Sequence, residues 1–285
     1  EVVVDILVNM SSERRAEELL DKIKIKIYES SMEKSFETII SDKLKSRDSE
    51  EFEINYVVNM PEGNALNLKN SFGNTYIGHR SGDCDIKLSY GEFRIGQLDG
   101  KTDMKISFSD GEIKTMKMGD LEIKYSDVEI VKLGMVRLEQ GFSDVEIESA
   151  QSIDLTSKYG ALEIGSIDGI RGYIGYSDFS IDRLEVEMDL EAAYAGDFEV
   201  NNISRDFSKI IIDGKFGDYE LNFEEGSDFD FRVKLSFSDF SYSGLPLEFD
   251  RKINESFKAH YEGILGKGAG GEVDINTSYG DVRFR

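Results

Sequence analysis

Tryptophan is missing from this sequence, proline and histidine occur twice each, and cysteine occurs once. A single cysteine, Cys84, allows no internal disulfide and no thiolate metal cluster, and it leaves the redox compartment open. Flanked by Asp83 and Asp85, it has no cationic neighbour in sequence that would activate it, which makes it a filler of core or surface. The two histidines, His79 and His260, are far apart in a chain built of stacked repeats, so they cannot meet in one Ser-His-Asp site. Positive charge is scarce: 34 Lys and Arg stand against 57 Asp and Glu, and the net charge of −23 repels nucleic acid and anionic membranes. No apolar run reaches the roughly 20 residues that span a bilayer, so no transmembrane segment is expected. Glu1 opens the sequence without a basic start or signal-like apolar stretch, and an export signal is expected to have been removed ahead of it.

What remains is enough to fold: 285 residues, 39% of them apolar and 11% aromatic, can bury a substantial core. An internal repeat dominates. Ser71-Phe72-Gly73-Asn74, Ser89-Tyr90-Gly91-Glu92, Ser107-Phe108-Ser109-Asp110, Lys124-Tyr125-Ser126-Asp127 and Gly141-Phe142-Ser143-Asp144 are versions of one corner. It continues at Tyr159, Tyr176, Phe216, Phe237 and Tyr279, with Tyr194 as a degenerate version. The aromatic positions are 17 or 18 residues apart through Tyr194, and the intervals then lengthen. Apolar residues alternate on both sides of each corner, as in Met104-Lys105-Ile106 and Gly111-Glu112-Ile113, so the pieces are strands. One repeat alone cannot bury its apolar edge, so the repeats must stack. The expected fold is all-β, a parallel β-solenoid of 17-18-residue coils spaced about 4.8 Å apart, in which the aliphatic residues and an internal ladder of Phe and Tyr face the core.

The first 65 residues depart from the repeat and predict a small α+β cap, βαβ-like in order. Val2 to Val8 and Lys22 to Ile27 alternate as strands, Ser11 or Ser12 opens an amphipathic helix through Leu20, and Phe52 to Val58 leads to a turn at Pro61-Glu62-Gly63-Asn64. The expected organisation is therefore a cap over 1–65 and a solenoid over 66–285, with an insertion at about 243–278 that holds the glycine-rich run Gly263 to Gly271. That run lacks the order of a phosphate-binding loop and is expected to be a turn or hairpin.

The corner repeat, the segment Ser11 to Ile23 (SSERRAEELLDKI) and Val58-Asn59-Met60-Pro61 together resemble the adhesin-like β-helix family, a domain of unknown function in exported proteins of Gram-negative gut bacteria. The resemblance covers nearly the whole chain. It implies export to the periplasm or cell surface, and it carries over no catalytic motif.

Two acidic columns follow from the repeat. The corner column holds Asp110, Asp127, Asp144, Asp178, Asp218, Asp239 and Asp281, with Asn74 and Glu92 in equivalent places. Turn chemistry explains it first, since Asx side chains bond backbone at tight corners. Ca²⁺ bridging the stacked carboxylates is the functional alternative, although the Gly-Gly-x-Gly-x-Asp pattern of calcium-binding β-rolls is missing. The second column, Glu112, Glu129, Glu146 and Glu163, is expected to be a solvated stripe partly offset by Lys105, Lys114, Lys124 and Lys132.

These residues assign no catalytic, cofactor-binding or metal site, and no cofactor is expected. The expected function is a non-enzymatic exported binding or adhesion module that recognises a glycan or surface protein through its regular faces. An envelope scaffold is one rival. A polysaccharide-active, pectinase-like enzyme is the other, and it would need a cleft that coils this short do not build.

Overall fold

A computed structural model describes residues 1–41, 51–242, 244–268 and 270–285. Within these residues the chain is all-β apart from one eight-residue helix, and it divides into two compact units, Glu1–Pro61 and Glu62–Arg285.

The first unit contains β1 (Val2–Asn9), α1 (Glu13–Leu20), β2 (Ile23–Glu29), β3 (Lys34–Ile40) and β4 (Glu51–Val58). Ser12 caps α1 through its backbone: at φ −160° its carbonyl accepts from the Arg15 and Ala16 amides. The strands pair antiparallel, β1 with β4 from Val2↔Val58 to Asn9↔Glu51 and β2 with β3 from Ile23↔Ile40 to Glu29↔Lys34. The order therefore reads strand-helix-strand, but among the described residues no parallel βαβ crossover forms. The alternating Lys-Ile run of β2 instead pairs with the next strand in sequence across a tight turn in which Ser30 Oγ accepts from the Met32 and Glu33 amides. Residues 42–50 of the expected cap lie outside the described residues.

The second unit begins with β5 (Leu66–Asn70), β6 (Thr75–Ile77), β7 (Cys84–Lys124) and β8 (Asp127–Ala193). Then follow β9 (Phe198–Ile203), β10 (Lys209–Lys215), β11 (Tyr219–Phe223), β12 (Phe229–Ser236) and β13 (Phe240–Ser241). The chain ends with β14 (Leu247–Glu255), β15 (Lys258–Leu265), β16 (Gly271–Ser278) and β17 (Val282–Phe284). All belong to one curled 13-stranded sheet of mixed direction. Parallel registers such as Leu66↔Cys84, Gly111↔Val128 and Lys124↔Gly141 bring each segment beside the one a single repeat away. Straight, the 67 residues of β8 would reach about 220 Å. They bend because Phe142, Tyr159 and Tyr176 interrupt them with positive φ.

Every second aliphatic residue points into one continuous core. Ile113, Ile130, Ile147, Ile164, Ile181, Val200 and Leu221 form one column in it, each essentially buried. Each such side chain contributes about 1.5–3 kcal/mol on burial.

The aromatic ladder is real but lies on the outside. Ten of its rings sit on residues with φ between 52° and 61°, and those rings remain 36–54% exposed. A left-handed residue shifts the phase of the pleat: after buried Ile123, strict alternation would turn Tyr125 inward, whereas Tyr125 is exposed and the small Ser126 is buried at the corner. A tight corner holds a hydroxymethyl where it could not hold a ring.

The C-terminal arrangement also differs from expectation. In the segment 243–278, β14 and β15 form an antiparallel hairpin, and β15 runs antiparallel along β12. β16 belongs to the main sheet, parallel to β10 on one side and to β12 on the other. The last repeat of the sequence therefore lies between two earlier ones and is not at the end of the stack. Gly266 and Gly268, at φ 76° and 67°, turn the chain back toward the sheet. Ser243 and Ala269 of this segment lie outside the described residues.

Candidate binding surface

The corner repeat builds the most regular surface of the protein. Its rings stack in the spatial order Phe72, Tyr90, Phe108, Tyr125, Phe142, Tyr159, Tyr176, Tyr194, Phe216, Tyr279, Phe237, with centroids 4.7–5.1 Å apart and interplanar angles of 2–14°. A left-handed bulky residue costs roughly 1–2 kcal/mol. Each stacked pair returns about 0.5–1.5 kcal/mol beyond its buried area, and hydrogen bonds at the corner supply the remainder.

Those bonds form two reciprocal chains between neighbouring turns. The serine after the ring donates to the carbonyl two residues back, as Ser126 Oγ does to Lys124 O at 3.0 Å. Its oxygen also accepts from the preceding turn, from the Ser109 amide at 3.0 Å, and Ser143 does the same for Ser126 at 3.2 Å. The aspartate works in the opposite direction. Asp110 Oδ1 accepts from the Asp127 amide and Asp144 Oδ1 from the Ala161 amide, both at 3.0 Å. At the other end Asp218 accepts from Asp281 and Asp281 from Asp239, each at 2.8 Å, which repeats the spatial order of the rings. Asp110, Asp144, Asp178, Asp218 and Asp281 therefore each hold backbone of the adjacent turn with one oxygen, whereas the Asp144 amide donates to Ser126 O and not to Asp127. Where glycine replaces the serine the turns approach more closely: a Cβ on Gly160 would lie 2.0 Å from Ser143 O.

Beside the ladder runs an open groove of about 520 Å³ lined by Asp110, Asp127 and Asp144, by Glu112, Glu129, Glu146 and Glu163, and by Val128 and Val145, with Glu92 and, as the one cation among the described residues, Arg94 in the same lining. Two of the lysines expected to offset the glutamates pair elsewhere. Lys105 pairs with Glu122 at 2.8 Å, and Lys124 reaches Glu122 and, at 3.4 Å, Glu139. Among the described residues none of the four groove glutamates has an ion-pair partner. A second groove of about 390 Å³ lies farther along the ladder, beside Phe216 and Tyr279, with Asp197, Glu199, Asp218, Glu220 and Asp281 in its lining.

The other titratable residues form separate small sites. His79 bridges Glu62 at 3.2 Å and Asp99 at 3.0 Å, while His260 pairs with Glu262 at 2.8 Å, so the two histidines share no partner. Hydrogen bonds from Gln97, His79 and Lys117 hold Asp99 far below the usual carboxylate range. Lys105 and Lys124 lower Glu122, and Arg205 lowers Glu224. Cys84 is buried, and burial pushes its thiol up against the opposing influence of Arg80. That arginine, four residues upstream, is the cationic neighbour which reading the flanking aspartates overlooked. Its Nη2 donates to Asn64 O at 2.5 Å. Among the described residues no three His, Cys, Asp or Glu side chains converge as a metal site, and no helix is long and apolar enough to cross a membrane.

No family model matches the chain, and no curated protein matches it. Among solved structures it is similar to a "putative cell adhesion protein" of Clostridium sporogenes, 12% identical, with 99% of this chain and 81% of that chain covered at a TM-score of 0.17. At that score the likeness establishes neither the family nor a role for this chain.

Proposed function

We propose that residues 62–285 form a β-solenoid that serves as a non-enzymatic adhesion module, exported to the periplasm or cell surface, with the ladder face as its binding surface. The observation that carries this reading is the uninterrupted row of eleven exposed rings. Half-exposed aromatics at roughly 100 Å² each amount to about 1,000 Å², well beyond the apolar patch of an ordinary monomer. Exposure that extensive suits a partner lying along it.

The chemistry of the face narrows the partner. Sugars stack on ring faces, and here each inner ring has both faces covered by its neighbours. Ring edges, together with the unpaired glutamate stripe alongside, suit a protein partner that combines apolar side chains with Lys or Arg. Many weak contacts repeated every 5 Å would add up along the row.

The shape of the grooves speaks against catalysis. Both grooves are open to water and so lack the enclosed cleft that a polysaccharide-cleaving site would use to exclude it, and among the described residues the short corners add no long loops over them. With one oxygen of Asp110, Asp144, Asp178, Asp218 and Asp281 committed to backbone, Ca²⁺ is not part of the proposal.

Labelled protein incubated with an array of glycans and matrix proteins, with calcium and with chelator, tests the reading. Saturable binding to basic proteins that weakens with salt and survives chelation supports it. Binding lost on chelation reinstates calcium, shortened glycans reinstate the polysaccharide enzyme, and no binding leaves the envelope scaffold.

A further inference from the structure

The hairpin of β14 and β15 holds a lysine in an unusual setting. Lys252 Nζ lies 5.1 Å from the ring centroid of Phe249, 5.6 Å from that of Tyr242 and 5.9 Å from that of Tyr261, and it donates to Tyr242 Oη at 3.1 Å. The three rings form walls: Phe249 meets Tyr242 at 60° and Tyr261 at 61°, with centroids 5.2 and 6.1 Å apart. In a chain with 57 carboxylates, this ammonium makes no ion pair among the described residues.

The backbone is shaped to produce this. Phe249 and Lys252 are three apart and would face opposite sides of a regular strand. The register with β15 passes from Phe249↔Gly263 to Arg251↔Glu262 and Lys252↔Tyr261, so Asp250 is an extra residue in a bulge. The bulge turns Lys252 onto the side of Phe249, directly across from Tyr261. Gly263 lets β14 approach β15 closely beside the cluster, since a Cβ there would lie 2.0 Å from Glu248 O and 3.0 Å from Phe231 Cζ.

We propose that Tyr242, Phe249 and Tyr261 form a binding cage for a trimethylammonium group, with the exposed Lys252 ammonium as a resident occupant that a choline-type ligand displaces. Aromatic walls attract any cation, but a quaternary ammonium gives up far less hydration than a primary one on entering them. The acidic net charge draws cations to the protein. A displaced Lys252 would be left to meet a phosphate if the ligand carries one. The cage lies outside both grooves, and its ligand is independent of the adhesive role proposed for the ladder.

Calorimetric titration of the full chain with tetramethylammonium, and with neopentyl alcohol as an uncharged near-isostere, tests the cage. Removing the resident amine with Lys252→Ala should tighten tetramethylammonium binding about tenfold, while Phe249→Leu should abolish it and neopentyl alcohol should bind neither protein. Equal affinity of the Lys252→Ala variant and the unaltered chain, or equal binding of the neutral isostere, overturns the proposal. If Phe249→Leu fails to fold, the comparison of charged and neutral ligands decides alone. Choline and phosphocholine form the last two arms: tighter binding of phosphocholine by the unaltered chain, lost in Lys252→Ala, assigns a phosphocholine head group, and equal binding assigns free choline.

Discussion

The ring of Tyr279 stacks on that of Phe216 at 4.9 Å and 10°, although β12 to β15 are all made between them. The two strands on either side of Tyr279, β16 and β17, also bury Val273, Ile275, Val282 and Phe284 between repeats that were synthesised first. The final segment thus completes the interior and does not merely close its end.

Deleting 271–285 should therefore cost far more than its length suggests. Four buried apolar side chains correspond to on the order of 6–12 kcal/mol, comparable to the stability of a whole domain. Hydrogen exchange should show protection lost over 209–241 while 84–180 keeps it, because repeats contact only their neighbours. Loss of protection throughout the unit would mean that it folds as one cooperative block.

The strained corners invert a familiar preference. Phe142→Ala keeps the left-handed backbone and removes two stacking partners, whereas Phe142→Gly removes the same partners and relieves the strain. Urea denaturation should find the glycine variant more stable than the alanine variant by about 1 kcal/mol, with both below the parent.

The role of the corner aspartates can be separated from their charge. Asn74 already fills the position in the first repeat and accepts from the Glu92 amide at 3.0 Å. Asp144→Asn should then be close to neutral, and Asp144→Ala should lose about 1 kcal/mol. A destabilised Asp144→Asn, or calcium-dependent melting of the parent that vanishes in the variant, would restore a cation to this column.

Acid should weaken the His79 cluster in a defined direction. Asp99 is held below its unfolded pKa, so the unfolded chain takes up that proton first; the stability Asp99 confers is complete above about pH 5 and is lost as pH falls toward its folded value. Melting temperatures between about pH 5 and 2 should fall less steeply for Asp99→Asn than for the parent. Parallel slopes would mean that the hydrogen bonds from Gln97, His79 and Lys117 do not survive in solution.

Much of this was legible from spacing alone. Aromatic residues 17 or 18 apart flanked by alternating aliphatics announced parallel repeats, and the Ile113, Ile130, Ile147 column follows directly. The direction of the rings was not legible, since a single left-handed residue such as Tyr125 reverses the inward-outward phase and nothing in its side chain marks that backbone. Neither was the place of Tyr279, which is decided by β16 inserting beside β10 rather than by order along the chain. The cage around Lys252 was hidden for a similar reason: it depends on one surplus residue, Asp250, which counting by twos places on the wrong side.

The antiparallel hairpin has one more consequence. A stack of parallel strands is a template that another molecule of the same kind could extend indefinitely. β15 reverses the strand direction against β12, and the outermost described strand, β14, carries a bulge together with Arg251 and Lys252 on its exposed stretch. β14 reverses again and so runs with β12, which leaves the kink and the two cations as what a molecule arriving at that edge meets.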